Sequence, residues 1–359
     1  MKNRGLKKTI SLCLVACMFI CMTFFSASAN SVNSSGERLQ CQEIISLPDG
    51  GKIYVYNING VINEFPVPPD GFDPLNASNE TLETYGFPVR PSNPEEKAKW
   101  TERMKNYKTT PIPEIEQTEI VHGLNRAVPA QETSLITRAL DSNTQSYNWS
   151  GYVAKGTFSQ VQGDFVQPTI SSSEPSYTHE STWVGLGGYY TNSGLVQTGT
   201  SITTYQGGRH YYAWYEYLSS ANPNPEIRMT SVTVNPGDRI HAYCSFQKSN
   251  NKFNAYIAND TNGTSQAVLI SISASEYFDQ RTAEFINEHP SWGATDNGLT
   301  NYGVTNWTNC KVYTMTGTWM NLGSTTYYRV TMINRNGNVL AEPSNLSGTS
   351  FINTWRRRS

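Results

Sequence analysis

Apolar and polar residues alternate over short stretches of the chain from about residue 147 onward, which is the pattern of half-buried β-strands. Two pairs of these stretches flank turns rich in Asn and Gly, namely 253–258 with 265–272 and 327–333 with 339–340. Alternating runs on both sides of such a turn are typical of β-hairpins. The pattern therefore predicts at least two hairpins in this part of the chain.

The remaining pattern of the second half is also that of short strands and turns. A turn at 235–238 leads into an alternating run in which Cys244 shares one face with Ile240 and Phe246. Only the stretch 276–288 is interpreted as weakly helical or irregular. Many short strands separated by turns predict an all-β fold, an antiparallel β-sandwich of two large sheets, over residues 141–359.

The first residues have the pattern of a secretory signal peptide. Basic residues precede an apolar run at 9–25, and small residues at 27–29 form a cleavage pattern. We expect residues 1–29 to be removed after Ala29, which predicts a secreted, extracellular protein with no stable membrane association after cleavage. An uncleaved membrane anchor and lipidation at Cys17 are the two alternatives.

Residues 30–140 differ in composition from the part that follows. Their density of charged residues is nearly twice as high, and a proline-rich loop at 66–74 precedes a helix start at Ser78 and a charged helical stretch at about 94–108. The segment ends in a Thr-, Ser-, Ala- and Gln-rich stretch of linker composition. This mixed, partly helical region is interpreted as a removable prosegment, with a permanent accessory domain as an equally weighted alternative.

Composition and motifs exclude several classes of function. The 359 residues carry a formal net charge of −2 and only 16% charged residues, which gives no electrostatic basis for binding nucleic acid. The chain has no G-x-S-x-G, H-E-x-x-H or C-x-x-C motif, so we expect neither a metal nor a cofactor. Each His beyond residue 141 is interpreted as structural or exposed, and these are His179, His210, His241 and His289.

Cysteine usage leaves one question open. Three of the six Cys lie in the predicted signal peptide, so Cys41, Cys244 and Cys310 remain after cleavage. The alternating pattern favours Cys244 as a small buried apolar residue. A Cys244–Cys310 disulfide is the alternative, because sequence alone does not set the distance between their Cα atoms.

Seven short motifs of the second half resemble those of one peptidase family. In order they are NWSGYV at 148–153, VQGDFVQP at 161–168, STWVGLGG at 181–188, LVQTG at 195–199, AWYEY at 213–217, PGDRI at 236–240 and TAEFINE at 282–288. This ordered set resembles the glutamic peptidases, or eqolisins, over about residues 147–315. Each motif alone is weak, but seven in the same order are a specific signal.

The resemblance implies a secreted acid endopeptidase, made with a prosegment and built on a lectin-like sandwich of two antiparallel sheets. It implies a catalytic pair of Gln197 and Glu288, the positions that match the Gln of L-Q-T-G and the second Glu of A-E-F-I-x-E. It also implies substrate-cleft positions for four residues, Trp183, Trp214, Tyr215 and Glu216. Glu284, the first Glu of its motif, is the alternative to Glu288, and it could instead be a structural hydrogen-bond partner.

These residue types suit peptide hydrolysis. A carboxylate at Glu288 can take a proton from water and return it to the leaving amine, while the amide of Gln197 stabilises the oxyanion. We therefore expect an endopeptidase that acts on proteins or peptides. We also expect it to be a monomer. The alternative is a non-catalytic, lectin-like sandwich that binds carbohydrate or protein through exposed aromatic side chains.

Overall fold

The computed structural model describes residues 36–123, 141–190, 194–219, 225–272, 278, 280–291 and 296–359. Residues Ser34–Ser359 form one compact unit. The predicted signal peptide, its cleavage site after Ala29 and residues 124–140 lie outside the described residues. Within those described, no helix combines the length and the apolar character that a membrane crossing requires.

The described residues form 21 strands and two α-helices. The strands are β1 Glu37–Arg38, β2 Glu43–Ser46, β3 Lys52–Ile58, β4 Val61–Val67, β5 Ile115–Gln117, β6 Asp141–Ser146, β7 Trp149–Lys155, β8 Phe158–Val166, β9 His179–Gly187, β10 Leu195–Tyr205, β11 Gly208–Leu218, β12 Ile227–Thr233, β13 Arg239–Gln247, β14 Lys252–Asn259, β15 Thr264–Ser271, β16 Thr282–Glu288, β17 Val304–Thr314, β18 Trp319–Asn321, β19 Thr326–Ile333, β20 Val339–Pro343 and β21 Phe351–Trp355. The helices are α1 Asn79–Thr84 and α2 Pro94–Asn106, and a 3-10 turn spans Leu322–Ser324.

The strands form two layers, as the sequence predicted. The first sheet has the order β2-β3-β4-β15-β14-β13-β8-β17, and the second has the order β19-β7-β16-β9-β10-β11-β12-β5-β1. Strands β20 and β21 join β19 to β17, so hydrogen bonding continues from one sheet to the other along this side of the sandwich. The pairings are antiparallel except that of β6 with β19. Apolar side chains such as Val184 and Phe285 of the second sheet and Val161 and Ala255 of the first share one buried core.

The local predictions agree with the structure except at one strand. Strands β14 and β15 form one predicted hairpin, and β19 and β20 form the other. The weakly helical interpretation of 276–288 is wrong over Thr282–Glu288, which forms β16. Ala283 and Phe285 enter the core between the sheets, whereas Ile286 packs on the other face. Both faces of β16 are buried, so the alternation that identifies a half-buried strand is absent.

The cysteines beyond the predicted signal peptide are free thiols. Cys244 is fully buried between the sheets, which confirms its interpretation as a small apolar residue. Cys310 is also buried and unpaired, so the described structure contains no Cys244–Cys310 disulfide. Burial raises the pKa of both thiols well above the usual value, which keeps them protonated and unreactive.

The front segment, which we define as the described part of residues 30–140, pairs with both sheets of the sandwich. Strands β4, β3 and β2 extend the first sheet beyond β15, and β5 and β1 extend the second beyond β12. The predicted helix start is confirmed, because the Ser78 side chain accepts a hydrogen bond from the backbone N–H of Thr81. In helix α2, Arg103 donates to both Asp164 and Asp260, at 2.8 and 3.1 Å. These two contacts connect helix α2 to strand β8 and to the residue that follows strand β14.

Replacing Arg103 with alanine is expected to lower the free energy of unfolding by about 3 kcal/mol, because two largely buried carboxylates would lose their cation. The control is Lys105→Ala on the same helix, where only an exposed ion pair with Glu102 is lost and little change is expected. Urea unfolding followed by tryptophan fluorescence measures both. Equal unfolding midpoints for the two variants would contradict this assignment.

Candidate active site

The pairing register places several motif residues on one face of the second sheet. Strands β16, β9, β10 and β11 are consecutive neighbours, and this face points away from the core between the sheets. Three rows of side chains cross it. The rows are Glu288, Ser181, Ser201 and Tyr212; Ile286, Trp183, Gly199 and Trp214; and Glu284, Gly185, Gln197 and Glu216. We call this surface the cleft face.

Glycine at position 199 is required by the middle row. A Cβ atom there would lie 2.1 Å from the backbone oxygen of Thr182 and 2.6 Å from the Cβ of Trp183. Neither atom can move away, because both belong to the neighbouring strand β9. Glycine therefore lets the two indoles of Trp183 and Trp214 lie on either side of β10.

The carboxylate of Glu288 is held by donors from separate parts of the chain. Its Oε1 accepts from Asn148 Nδ2 at 3.1 Å and from the backbone N–H of Gly123 at 3.1 Å. Its Oε2 accepts from Trp183 Nε1 at 2.9 Å and lies 3.0 Å from His122 Nδ1. Glu288, Trp183 and Asn148 are fully buried. Asn148, Trp183 and Glu288 belong to three different motifs, so the fold brings distant motif residues to one carboxylate.

Gln197 lies in a different row and contacts Glu216. Its Nε2 donates to Glu216 Oε2, while its Oε1 has no hydrogen-bond partner among the described residues. Burial raises the pKa of the Glu216 carboxyl to about 8; the charge of His122 opposes this shift, whereas the charges of Glu288 and Glu226 add to it. Glu216 therefore holds a proton at neutral and acid pH.

The structure brings Gln197 and Glu288 to the same face but not into contact. Gln197 and Glu284 both pair with Gly185, whereas Glu288 pairs with Ser181, four positions along the strand. No hydrogen bond joins Gln197 to Glu288 among the described residues. Glu216 interacts with both residues. It accepts a hydrogen bond from Gln197, and the charge of Glu288 raises the pKa of the Glu216 carboxyl. Glu284 thus shares a row with Gln197, and the geometry keeps it as the alternative base.

Comparison with known proteins agrees with the motifs. The sequence model of the peptidase A4 family matches residues 147–355, more than half of the chain. The chain belongs to this family, the glutamic peptidases. It is similar to Aspergillopepsin-2 of Aspergillus niger, with 25% identity over 248 residues that cover 64% of this chain and 84% of that protein. The resemblance inferred from the motifs is therefore confirmed, and the chain is a hydrolase of this family.

Two solved structures are also similar. They are scytalido-glutamic peptidase with a transition state analog inhibitor and the same peptidase with a peptide based transition state analog. Each is 24% identical and covers 58% of this chain and 98% of that chain, with TM-scores of 0.48 and 0.47.

The expected substrate-cleft residues of this glutamic peptidase do not all lie on the cleft face. Trp183, Trp214 and Glu216 do, and all three are fully buried. Tyr215 points to the opposite face, where its ring packs against Phe65 with the centroids 5.7 Å apart. Its hydroxyl donates to Asn63 Oδ1 at 3.2 Å. The structure therefore places Tyr215 in the core that joins the sandwich to the front segment.

Two residues near Glu288 were missed by sequence reasoning. His122 Nε2 lies 2.9 Å from Glu226 Oε2, and the His122 ring stacks on Trp214 with the centroids 4.0 Å apart. Glu226 also accepts from the hydroxyl of Tyr212 at 2.7 Å. Neither residue lies in one of the seven motifs, so no motif pointed to them. For His122, the one available signal was that it is the only His of residues 30–140; for Glu226 there was none.

A second cluster has the composition of a metal site. One ligand atom each from His179, His289 and Asp296 lies within 4.8 Å of the others. His179 Nε2 donates to the backbone oxygen of Pro290, and His289 Nε2 lies 3.2 Å from Asp296 Oδ1. The interpretation of both histidines as hydrogen-bonded agrees with these contacts. The three side chains have the residue types of a divalent cation site, but the hydrogen bonds of His289 to Asp296 and of His179 to Pro290 also account for their positions.

Proposed function

We propose that the chain is a secreted zymogen of an endopeptidase that hydrolyses peptide bonds at acid pH with Glu288 and Gln197 as its catalytic residues. The observation that carries the proposal is the convergence of Asn148 and Trp183 on the carboxylate of Glu288. Two fixed donors orient a buried carboxylate, which is the arrangement that a general base requires.

Glu288 acts as base and then as acid. Its carboxylate removes a proton from water as the water oxygen attacks the carbonyl carbon of the scissile peptide bond. The resulting tetrahedral centre carries a negative charge on the former carbonyl oxygen. Collapse of this centre re-forms the carbonyl and breaks the C–N bond, and Glu288 transfers its proton to the leaving amine. The carboxylate is then regenerated, so no further co-reactant is needed.

Gln197 stabilises the oxyanion with support from Glu216. The amide nitrogen of glutamine has two hydrogens, of which one donates to Glu216 and the second is available to the substrate carbonyl oxygen. The unpartnered Oε1 is available to the attacking water. A protonated Glu216 positions the amide without adding a second negative charge close to the developing oxyanion.

The ionisation of Glu216 predicts an alkaline limit to activity. Because its pKa is raised to about 8, Glu216 is neutral below this pH and becomes an anion above it. An anion beside Gln197 opposes formation of the oxyanion, so kcat/KM is expected to fall at alkaline pH as Glu216 ionises. Glu216→Gln, which stays neutral, is expected to keep the rate at pH 4 and to remove this part of the pH profile. An unchanged profile in the variant would contradict the role of Glu216.

The test of the proposed function is hydrolysis of denatured casein or an unstructured peptide between pH 2 and 7. The full chain is first held at pH 4, and loss of the front segment is followed by mass spectrometry. We expect acid-dependent cleavage that resists inhibitors of serine and cysteine peptidases and chelators of metals. Cleavage that a chelator abolishes would instead implicate His179, His289 and Asp296. N-terminal sequencing of protein from the culture medium tests secretion and cleavage after Ala29.

The alternative of glycan binding depends on exposed aromatic side chains. Trp149, Trp183 and Trp214 are all fully buried in the described structure. With the front segment in place, where His122 stacks on Trp214 and Gly123 accepts from Trp149, these indoles have no free face on which a sugar ring can stack. The described contacts therefore give no support to glycan binding by the intact chain.

A further inference from the structure

Asn287 comes directly before Glu288, and its side chain lies on the opposite face of strand β16. Successive side chains of a strand point to opposite faces, so Asn287 follows Ala283 and Phe285 into the space between the two sheets. Asn287 is fully buried there. An amide in such a place costs free energy unless its polar atoms have hydrogen-bond partners, so its contacts indicate why it is present.

The Asn287 amide connects the two sheets. Its Oδ1 accepts from Trp307 Nε1 at 3.0 Å, and Trp307 belongs to strand β17 of the first sheet. Its Nδ2 lies 2.9 Å from Thr305 Oγ1 of the same strand. The same nitrogen lies 2.9 Å from Thr182 Oγ1 and 2.7 Å from Glu180 Oε1, both of strand β9 in the second sheet. One side chain therefore holds the end of β16 to its neighbour β9 and to the opposite sheet.

Glu180 is the carboxyl group of this contact set. Its Oε1 accepts from Thr182 Oγ1 and from Asn287 Nδ2, at 2.7 Å each, and its Oε2 has no hydrogen-bond partner among the described residues. Burial raises the pKa of Glu180 to about 7, although the hydrogen bonds from Thr182 and Asn287 and the charge of His122 oppose the shift. Glu180 is therefore a neutral acid at the pH of the proposed reaction. It accepts the amide hydrogen without placing an anion in the core.

A second amide makes a similar connection beside the first. Asn353 of strand β21 donates from Nδ2 to the backbone oxygen of Ser150 at 2.8 Å, and its Oδ1 accepts from the hydroxyls of Ser150 and Tyr302 at 3.1 and 3.2 Å. Ser150 and Thr182 are the residues that pair with Asn287 on its two sides. We call Ser150, Asn287 and Thr182 the inner polar row.

The inner polar row lies one residue away from the row that contains Glu288. Trp149, Glu288 and Ser181 are the adjacent residues of the same three strands, and their side chains point to the cleft face. Strand β16 ends at Glu288, and the ends of elements open more readily than their centres. Because a displacement of about 1 Å can cost about a hundredfold in rate, this strand end needs support beyond its backbone hydrogen bonds.

We propose that Asn287 and Glu180 are positioning residues of the peptidase, which hold the end of β16 to both sheets and thereby fix the carboxylate of Glu288 for the attack of water. The inference rests on the proposed function, since it requires Glu288 to be the base. Both side chains face the core and act through the backbone of Glu288, not through the substrate. Asn287 fills the variable position of the motif A-E-F-I-x-E, so the motif itself assigns it no role.

The experiment compares Asn287→Ala with Asn259→Ala in the full chain after incubation at pH 4. Asn259 is also a fully buried amide, but its Nδ2 contacts the backbone oxygen of Thr233 and the carboxylate of Asp238, away from β16. We expect Asn287→Ala to lower kcat for a fluorogenic peptide by about tenfold or more, with KM within about twofold, because the substrate meets the other face of the strand. We expect Asn259→Ala to lower the thermal unfolding midpoint but to keep kcat within about twofold.

A second set of variants tests the contact between the two residues. Glu180→Gln is neutral and has nearly the same shape, so its Oε1 can still accept from Asn287, and we expect kcat at pH 4 to be kept within about twofold. Glu180→Ala is expected to lower kcat by about fivefold or more. The double variant Asn287→Ala with Glu180→Ala is expected to be no slower than Asn287→Ala alone, because both changes remove the same contact. Losses in kcat that multiply, or a Glu180→Gln as slow as Glu180→Ala, would overturn the inference.

The same measurements separate this inference from the proposed function. If the wild type does not hydrolyse the peptide, or if Glu288→Gln keeps the rate, the proposed function fails. If the wild type is active and Glu288→Gln is not, while Asn287→Ala keeps the kcat of Asn259→Ala, only the positioning role fails. Circular dichroism establishes that each variant is folded, and if Asn287→Ala is not, the comparison of Glu180→Gln with Glu180→Ala decides alone.

Discussion

Glu288→Gln is expected to lower kcat/KM for peptide hydrolysis by about a thousandfold, because the amide cannot accept a proton from water. The two side chains have nearly the same shape, so the hydrogen bond from Trp183 Nε1 can be kept. Glu288 also contacts His122 of the front segment, so wild type and variant are assayed after the same incubation at pH 4, and mass spectrometry shows how much of each still carries that segment. Circular dichroism and the thermal unfolding midpoint establish that the fold is retained.

The matched control is Glu284→Gln on the same strand and the same face. Glu284 is fully buried and lies in the row of Gln197 and Glu216, but it does not belong to the set of contacts around Glu288 that includes Asn148 and Trp183. We expect Glu284→Gln to retain activity within about tenfold, as for a residue that only supports the site. If Glu284→Gln is inactive and Glu288→Gln is active, the base is Glu284 and the roles are reversed.

Gln197→Ala is expected to lower kcat by about a hundredfold to a thousandfold, with a smaller change in KM. The amide hydrogen that Gln197 directs at the substrate acts mainly on the charge of the tetrahedral centre, which is larger than that of the ground-state carbonyl. Loss of such a donor therefore affects the transition state more than substrate binding. Steady-state kinetics at pH 4 give the two parameters separately.

Gln197→Glu tests the donor role directly. A protonated carboxyl group can donate a hydrogen bond, whereas a carboxylate cannot. We expect this variant to be active only at the acid end of the profile and to lose activity as its new carboxyl ionises beside Glu216. An effect confined to KM, or a pH profile equal to that of the wild type, would mean that Gln197 binds substrate without stabilising the oxyanion.

Much of the local structure could be predicted from sequence because the causes are local. The hairpin of β14 and β15 follows from its alternating strands and its Asn- and Gly-rich turn. Helix α2 follows from Asn93 as the N-cap, Pro94 in its first turn, and the acidic and basic residues at its two ends. Strand β16 was the exception, because burial on both faces removes the periodicity on which such a prediction depends.

The motifs identified the important side chains but not their contacts. Gln197, Glu288, Trp183 and Trp214 could be named in advance because their motifs occur in a fixed order. Their distances could not, because the offset between Gln197 and Glu288 depends on the register of β10, β9 and β16. The opposite orientations of Glu216 and Tyr215 do follow from the two-residue period of a strand, but which of them faces the cleft depends on how the sheets pack.

The sequence by itself determined the fold class, the family and the residue types of the chemistry, since strand periodicity, turn residues and ordered motifs are written along the chain. Only the tertiary structure decided that His122 lies between Glu226 and Glu288, 104 and 166 positions away. That arrangement depends on β5 pairing with β12, which places the following residues across the cleft. Contacts over such separations arise from sheet register and packing, which no local pattern encodes.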